Sequence, residues 1–380
     1  MNKVVLVGNG LSVGLNKDFS LPNITKKFFE RLTPEHQSFV KHHMDRIEKQ
    51  EYLQTDFEEA IASIEQAYDS LKNYFDFLDE NDQGEQFMEA YGLEKREIEK
   101  HLLAMKEIIY EYTASILDLI DGHVHWHEIN ENLFGFIEWL QEAIEESNHI
   151  DLFTLNFDLL LETILLESIG TKTFMDFHIP RDSWGLIQNE KRYFFSPDLA
   201  LSAFGELKVK LHHLHGSLSS FKDIQTGKTF KITTEALRNN DVYSKIFDLN
   251  ITPSIVTGGG KSSKIQEMPF NFYYNNFRRL LTDENNLCDE LYIIGYSFRD
   301  EHINTSICER LKLGRRKKDP IYLQKLLIVD YKPNEEDQRK FIEDINLALD
   351  LGPKTRGRFE YGDPRIIFEG ANALSASKVL

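Results

Sequence analysis

The sequence predicts an α/β protein: a parallel sheet covered by helices on both faces, interrupted by a large helical insertion. Three observations carry that prediction. Short, fully apolar runs recur at Val4–Val7, Leu291–Ile294 and Leu326–Val329, and each stops at a Gly or an Asp. A strand buried on both faces reads as such an unbroken run, whereas a half-solvated strand alternates. Helical periodicity follows these runs, and a long helical tract separates the first of them from the next, at Asp151–Leu155.

Taken in order, Val4–Val7 is a buried strand ending in the tight turn Gly8-Asn9-Gly10. Lys26 to Ser147 then reads as helix. Its clearest part is Leu93 to Ile120, where Ile98, Leu102, Met105, Ile109, Tyr112, Ile116 and Leu119 recur at alternating spacings of four and three, before a stop at Gly122. That stripe fits packing inside a helical subdomain first, and a helical contact between copies of the chain second. Leu133, Phe136, Ile137, Leu140 and Ile144 mark a further amphipathic helix. Strand Asp151–Leu155 leads into an apolar helix, Leu159 to Leu166, closing near Gly170. A strand at Val209–Leu214 and a small hairpin around Thr226-Gly227 follow. Ile255-Val256 precede three glycines, Gly258 to Gly260, and Arg310 to Lys318 reads as a basic surface loop. The pattern is Rossmann-like, with residues 1–20 and 150–380 forming the sheet domain and 21–149 the helical insertion.

Composition narrows the classes. The 380 residues fit two or three domains of about 150 residues, or one α/β domain with an insertion. With 41% hydrophobic and 12% aromatic residues the chain can bury a core, so it is not disordered. Two cysteines exclude a disulfide framework and a cysteine-rich zinc ribbon. A formal charge of −18 argues against broad docking on nucleic acid. No apolar run reaches the roughly 18 residues of a membrane span. Gly8 interrupts the N-terminal apolar run too early for a signal peptide, so the expected compartment is the cytoplasm.

In an open parallel sheet, ligands bind beyond the carboxyl ends of the strands. After the first strand stands Gly8-Asn9-Gly10-Leu11-Ser12, whose glycines suit a sharp turn and a pyrophosphate at a helix N-terminus. Val13 occupies the place of the third glycine of the dehydrogenase fingerprint, and no acidic residue follows on a second strand, which disfavours hydride transfer. After the second strand comes Thr154-Leu155-Asn156-Phe157-Asp158, with Asn156 and Asp158 on one side and Asp158 placed to cap the next helix. After the third comes His212-His213-Leu214-His215-Gly216, where alternation puts His213 and His215 on one face and His215 is the candidate base. A metal site from that pair lacks a nearby Cys or carboxylate to complete it. His123, His125 and His127 read as surface residues. Gly295-Tyr296-Ser297 suits close approach to a phosphate or ribose. Asp330, at the end of the last strand, could accept from ribose hydroxyls or serve as a turn residue.

Together these turns resemble the sirtuin family. Gly8-Asn9-Gly10-Leu11-Ser12 is similar to its Gly-Ala-Gly-x-Ser loop, Thr154 to Asp158 to its Thr-Gln-Asn-Ile-Asp motif, and His215-Gly216 to its catalytic His-Gly. Pro253 to Val256 resembles the strand after its zinc module, and Gly295-Tyr296-Ser297 its Gly-Thr-Ser. The chain departs from the family deacylases in lacking any Cys between Ser217 and Thr252, where their four-cysteine zinc module lies. Gly295 to Asn304 resembles instead the zinc-free bacterial sirtuin-like proteins of anti-phage defence, which are NAD hydrolases. The resemblance implies a cytoplasmic NAD glycohydrolase releasing nicotinamide and ADP-ribose in abortive infection, with NAD as substrate and no zinc. It implies Asn156 and His215 as catalytic residues, and Gly8, Asn9, Gly10, Ser12, Thr154, Asp158, Gly295, Ser297 and Asp330 as NAD-binding residues. It further implies a homo-oligomer or a separate HerA-type ring ATPase as the trigger. Anionic NAD must then bind against the chain's overall negative field. The alternatives are an NAD-dependent deacylase and an NAD- or ADP-ribose-binding subunit without turnover. A nuclease would need a carboxylate metal cluster, and none stands at the strand ends.

Overall fold

The computed structural model describes residues 1–51, 57–80, 82–92, 94–123, 125–170, 174–181, 192–233, 236–237, 242, 249–256, 264–283, 285, 287–317 and 326–375. Gly258 to Gly260 and Lys318 lie outside them. The strands among these residues are β1 (Asn2–Val7), β2 (His149–Thr154), β3 (Phe174–Met175), β4 (His178–Arg181), β5 (Arg192–Phe195), β6 (Val209–His213), β7 (Gly216–Asp223), β8 (Thr229–Lys231), β9 (Ile251–Ile255), β10 (Glu290–Ile294), β11 (Leu326–Val329) and β12 (Ile366–Ile367).

The main sheet has the order β12-β11-β10-β1-β2-β6-β3, and each of its pairings is parallel. Its Rossmann-like character follows from burial on both faces. Val4 and Leu6 of β1 point into one core, with Phe153, Leu291, Ile293 and Ile328. The helices Phe270–Thr282, Glu301–Lys317 and Glu335–Ala348 cover that face through Tyr273, Phe277, Ile303, Ile307, Phe341 and Ile345. Val5 and Val7 point the other way, with Leu152, Leu211, Tyr292 and Ile294, beneath Ile129, Phe136, Leu140, Leu161 and Ile164. Those last side chains belong to the helices Trp126–Asn132, Phe134–Glu146 and Leu160–Ser168. Full burial of one such aliphatic side chain contributes about 1.5–3 kcal/mol, so neither face of β1 is dispensable.

A second sheet, β4-β5-β8-β7-β9, is antiparallel. The hairpin expected around Thr226-Gly227 is its β7–β8 turn, and Gly227 takes the left-handed φ of 67° that the turn needs. The strand expected at Ile255-Val256 lies mostly in β9, which therefore belongs to this sheet rather than to the parallel one. Among the described residues between Ser217 and Thr252, those of β7, β8 and the start of β9 form strands. Leu218, Phe221, Phe230, Ile232 and Ile251 of this sheet share a third core with Ile24, Phe28, Ile61, Met105, Ile108 and Tyr112 of the helical tract. The stripe on the helix Lys95–His123 is accordingly buried within the chain at Leu102, Met105 and Tyr112, while Ile109 is half-buried. That helix runs one residue past Gly122.

The basic loop expected at Arg310 to Lys318 is corrected: residues 310–317 continue the helix Glu301–Lys317. Arg310 is buried and donates to the Cys288 sulfur and carbonyl, both at 3.0 Å. Burial pushes the Cys288 thiol up to about 11, which makes it an inert core thiol. His125 and His127 are exposed, as expected. No helix among the described residues is long and apolar enough to cross a membrane.

Candidate active site at the carboxyl edge of the parallel sheet

Four of the sequence-predicted turns end adjacent strands, in the order β10, β1, β2, β6. The hydrogen-bond ladder runs one residue past each pairing: Gly8 N–H to Ile294 O, Leu155 N–H to Val7 O and Leu214 N–H to Thr154 O, each 2.9 Å. Gly295, Gly8, Asn156 and His215 are thereby brought to one edge of the sheet. Chain order reverses between β10 and β1, which is the switch point where an open α/β sheet leaves a crevice.

The glycines of the first turn meet a steric requirement that the sequence does not announce. A Cβ on Gly8 would lie 2.6 Å from Gly295 O, and one on Gly10 would lie 2.5 Å from Gly295 Cα. Gly295 itself adopts φ 64° and packs back on Gly10. Two loops cross here at backbone distance. The N–H groups of Gly8, Gly10, Leu11 and Val13 are donated to Ile294, Gly295, Gly8 and Asn9 carbonyls. The expected pyrophosphate cradle is therefore not formed by these four N–H groups. Asn9 is exposed and donates its side-chain amide to Phe19 O at 3.1 Å.

Asn156 is 8% exposed and anchors a directed hydrogen-bond chain. Its Nδ2 donates to Gly8 O at 3.1 Å and to Ser12 Oγ at 3.0 Å. Gly8 O can only accept, so the amide orientation is settled by its partner, and Oδ1 is left as the acceptor of the side chain. Ser12 is fully buried and passes its own proton to Asp158 Oδ2 at 2.5 Å. Asp158 also accepts the Leu160 N–H at 3.0 Å, the capping role expected of it. Burial pushes the Asp158 carboxyl above its usual range, while the Ser12 and Leu160 hydrogen bonds pull the other way. Thr154 Oγ1 accepts the Asn156 N–H at 3.0 Å and shapes the turn. Phe157 turns the opposite way, onto the helical core.

His215 is 6% exposed, and its Nε2 lies 3.4 Å from Asp300 Oδ2. Gly216 after it takes φ 84°, and a Cβ there would meet Ser254 O at 1.9 Å. That glycine is required by the approach of β9 to β7. Alternation does not carry His213 and His215 to one environment, because β6 ends at His213 and the chain then changes sheet. His213 instead faces Glu162, at 3.9 Å. Among the described residues no group of three or more His, Cys, Asp or Glu is placed to hold a metal ion.

Two predicted residues stand apart from this network. Ser297 is exposed beyond β10. Asp330 ends β11, two strands from β1, where its oxygens accept from Lys332 Nζ at 2.9 Å and from the Tyr331 N–H at 2.8 Å. Asp300 is the member of the site that sequence reasoning did not single out. It lies in the quoted segment Gly295 to Asn304, but its partner is 85 positions upstream and no local pattern announces the pair.

No curated protein matches the chain. A family model, the SIR2-like domain, matches residues 151–349, just over half of it, from the start of the Asn156 motif to past Asp330. The chain therefore belongs to the SIR2-like domain family, an NAD-dependent enzyme class.

Proposed function

We propose that the chain hydrolyses NAD at the bond between nicotinamide and ribose. The observation that carries this reading is the directed chain from Asn156 through Ser12 to Asp158, one strand away from His215. The C1′–N bond breaks with its electron pair leaving on nicotinamide, which departs neutral and needs no acid. The ribose gains oxocarbenium character, as in other glycosidic hydrolysis. Asn156, with Nδ2 committed to Gly8 and Ser12, offers Oδ1 to the attacking water or a ribose hydroxyl. Water forms the new C1′–O bond, and its proton passes to His215 and then to solvent. An imidazole with an ordinary pKa near 6.5 suits that task at neutral pH.

The biological setting belongs to the same proposal. Similarity of Gly295 to Asn304 to zinc-free defence proteins supports an anti-phage effector that depletes NAD. A homo-oligomer or a HerA-type ring ATPase would be its trigger. The test is nicotinamide release by the purified chain, alone and with the product of a neighbouring gene. Asn156→Ala and His215→Ala should each lower release by roughly 10²-fold or more while circular dichroism stays unchanged. Full activity in either variant refutes the assignment. Turnover that depends on an added acetylated peptide points to deacylation instead.

A further inference from the structure

We infer that Asp300 is a positioning residue for His215, forming a carboxylate–imidazole dyad that supports the base; this rests on the hydrolase reading above. The two side chains are buried, at 8% and 10% exposure, with His215 Nε2 3.4 Å from Asp300 Oδ2. That separation is ion-pair range, without hydrogen-bond geometry. Such contacts in ligand-free enzymes commonly shorten when substrate binds.

The segment carrying Asp300 is built to hold it there. Gly295 and Phe298 both adopt left-handed φ, 64° and 58°. For a phenylalanine that conformation costs on the order of 1–3 kcal/mol and persists only where its surroundings enforce it. Here Phe298 O accepts from Asn304 Nδ2 at 2.8 Å, and the Asn304 Oδ1 accepts from the Tyr296 hydroxyl at 2.9 Å. The same hydroxyl accepts the Asp300 N–H at 3.1 Å. Tyr296 and Asn304 thus clamp the backbone of Asp300 from both sides, and its carboxylate is aimed at β6's end by a fixed loop.

The chemical consequence is electrostatic. When the imidazole takes the proton of water, its positive charge lies beside the Asp300 carboxylate, 3.4 Å from Nε2. Two titratable side chains among the described residues, Tyr296 and Tyr274, feel the Asp300 charge. Burial first, and the Asp300 charge second, raise both hydroxyls above their usual range, so both stay protonated near neutrality.

The experiment combines kinetics with a measurement independent of turnover. Asp300→Asn should lower kcat for nicotinamide release by about 10- to 100-fold with KM for NAD nearly unchanged, and Asp300→Glu should recover part of it. In the His215→Ala background, Asp300→Asn should cost nothing further, because Asp300 acts through the imidazole. Separately, the His215 ring proton, assigned by its loss in His215→Ala, should titrate at lower pH in Asp300→Asn than in the wild type. An unchanged titration overturns the dyad whether or not NAD is the substrate. A dyad confirmed by titration in a protein that leaves NAD intact overturns the hydrolase reading instead.

Discussion

Two polar clusters flank the end of β6, and each takes one histidine from the same short stretch. His215 faces a carboxylate, Asp300, at the sheet edge. His213 faces a sealed cluster in which Lys231 pairs with Glu162 at 2.8 Å and Asp176 at 2.9 Å, with His178 3.6 Å from Asp176. Burial, and then the Lys231 charge, hold His213 well below the usual imidazole range, and neither ring nitrogen has a hydrogen-bond partner. Both imidazoles have a carboxylate near Nε2, at 3.4 Å for His215 and 3.9 Å for His213, but His213 also has the Lys231 cation beside it, and burial first and that cation second hold it neutral. Neither influence is visible in residue type or spacing.

The largest effect on activity should therefore come from His215→Ala, a loss of roughly 10²- to 10⁴-fold in nicotinamide release with the melting temperature preserved. A variant that retains full activity would remove the contrast. The largest effect on stability should come from the sealed side. Lys231 is 4% exposed on β8 of the antiparallel sheet, while Glu162 sits on the helix Leu160–Ser168 over the parallel one. Asp176 lies between β3 and β4, so the cluster ties the two sheets together. Lys231→Met leaves two carboxylates facing each other in a buried site. Breaking such a pair typically costs about 3–5 kcal/mol. Urea unfolding should show that loss, and Lys231→Arg should recover much of it. A midpoint unchanged in Lys231→Met would mean the cluster is solvated rather than sealed.

The difference between the clusters also marks how much was legible in advance. The parallel sheet could be read because its strands are unbroken apolar runs punctuated by Gly, Asn and His. The antiparallel sheet could not, beyond one hairpin. In β7, Ser217, Ser219 and Ser220 are all buried, and the first two satisfy each other at 3.0 Å. Buried serines erase the apolar signal on which strand recognition depends. The basic run from Arg310 masked a helix whose apolar stripe, Ile303, Ile307 and Leu311, keeps a spacing of four. Asn156, Asp158 and His215 stood at recognisable strand ends. Asp300 and Lys231 act through partners distant in the chain, and pairwise burial of that kind has no local signature. The close contact between Gly10 and Gly295 could not be read, since it joins positions 285 apart.

A smaller effect tests the link between the two sides at Asp158. Its carboxyl is raised by burial, so at neutral pH the folded state carries a cost for keeping it ionised. Asp158→Asn removes that cost and keeps one acceptor oxygen for the Leu160 N–H, with its Nδ2 turned to Ser12 Oγ as a donor. The variant should stay close to the wild type in stability at pH 7. A group whose folded pKa is raised contributes stability below its unfolded value and loses it as pH rises through the folded one. The wild type should therefore gain on the variant as pH falls toward the usual carboxylate range. Parallel melting curves across that range check the sign.

The smallest effect at neutral pH should be that of His213→Leu, which separates it most sharply from His215→Ala two residues away. Its ring makes no hydrogen bond with either nitrogen, so an apolar replacement of similar bulk leaves no additional group unsatisfied. Stability at pH 8 should change by less than about 1 kcal/mol and nicotinamide release should persist. The pH dependence should change more. Because the folded pKa is depressed, the unfolded chain takes up a proton below about pH 6.5 that the folded chain refuses, which destabilises the wild type on acidification. His212 is depressed in the same direction, by burial against its Asp151 partner at 2.9 Å, so the slope should be reduced rather than abolished in the variant. Equal slopes in the two proteins would show that His213 takes up its proton in the folded state. The charge contrast with His215 would then fail, since both imidazoles would be open to protonation.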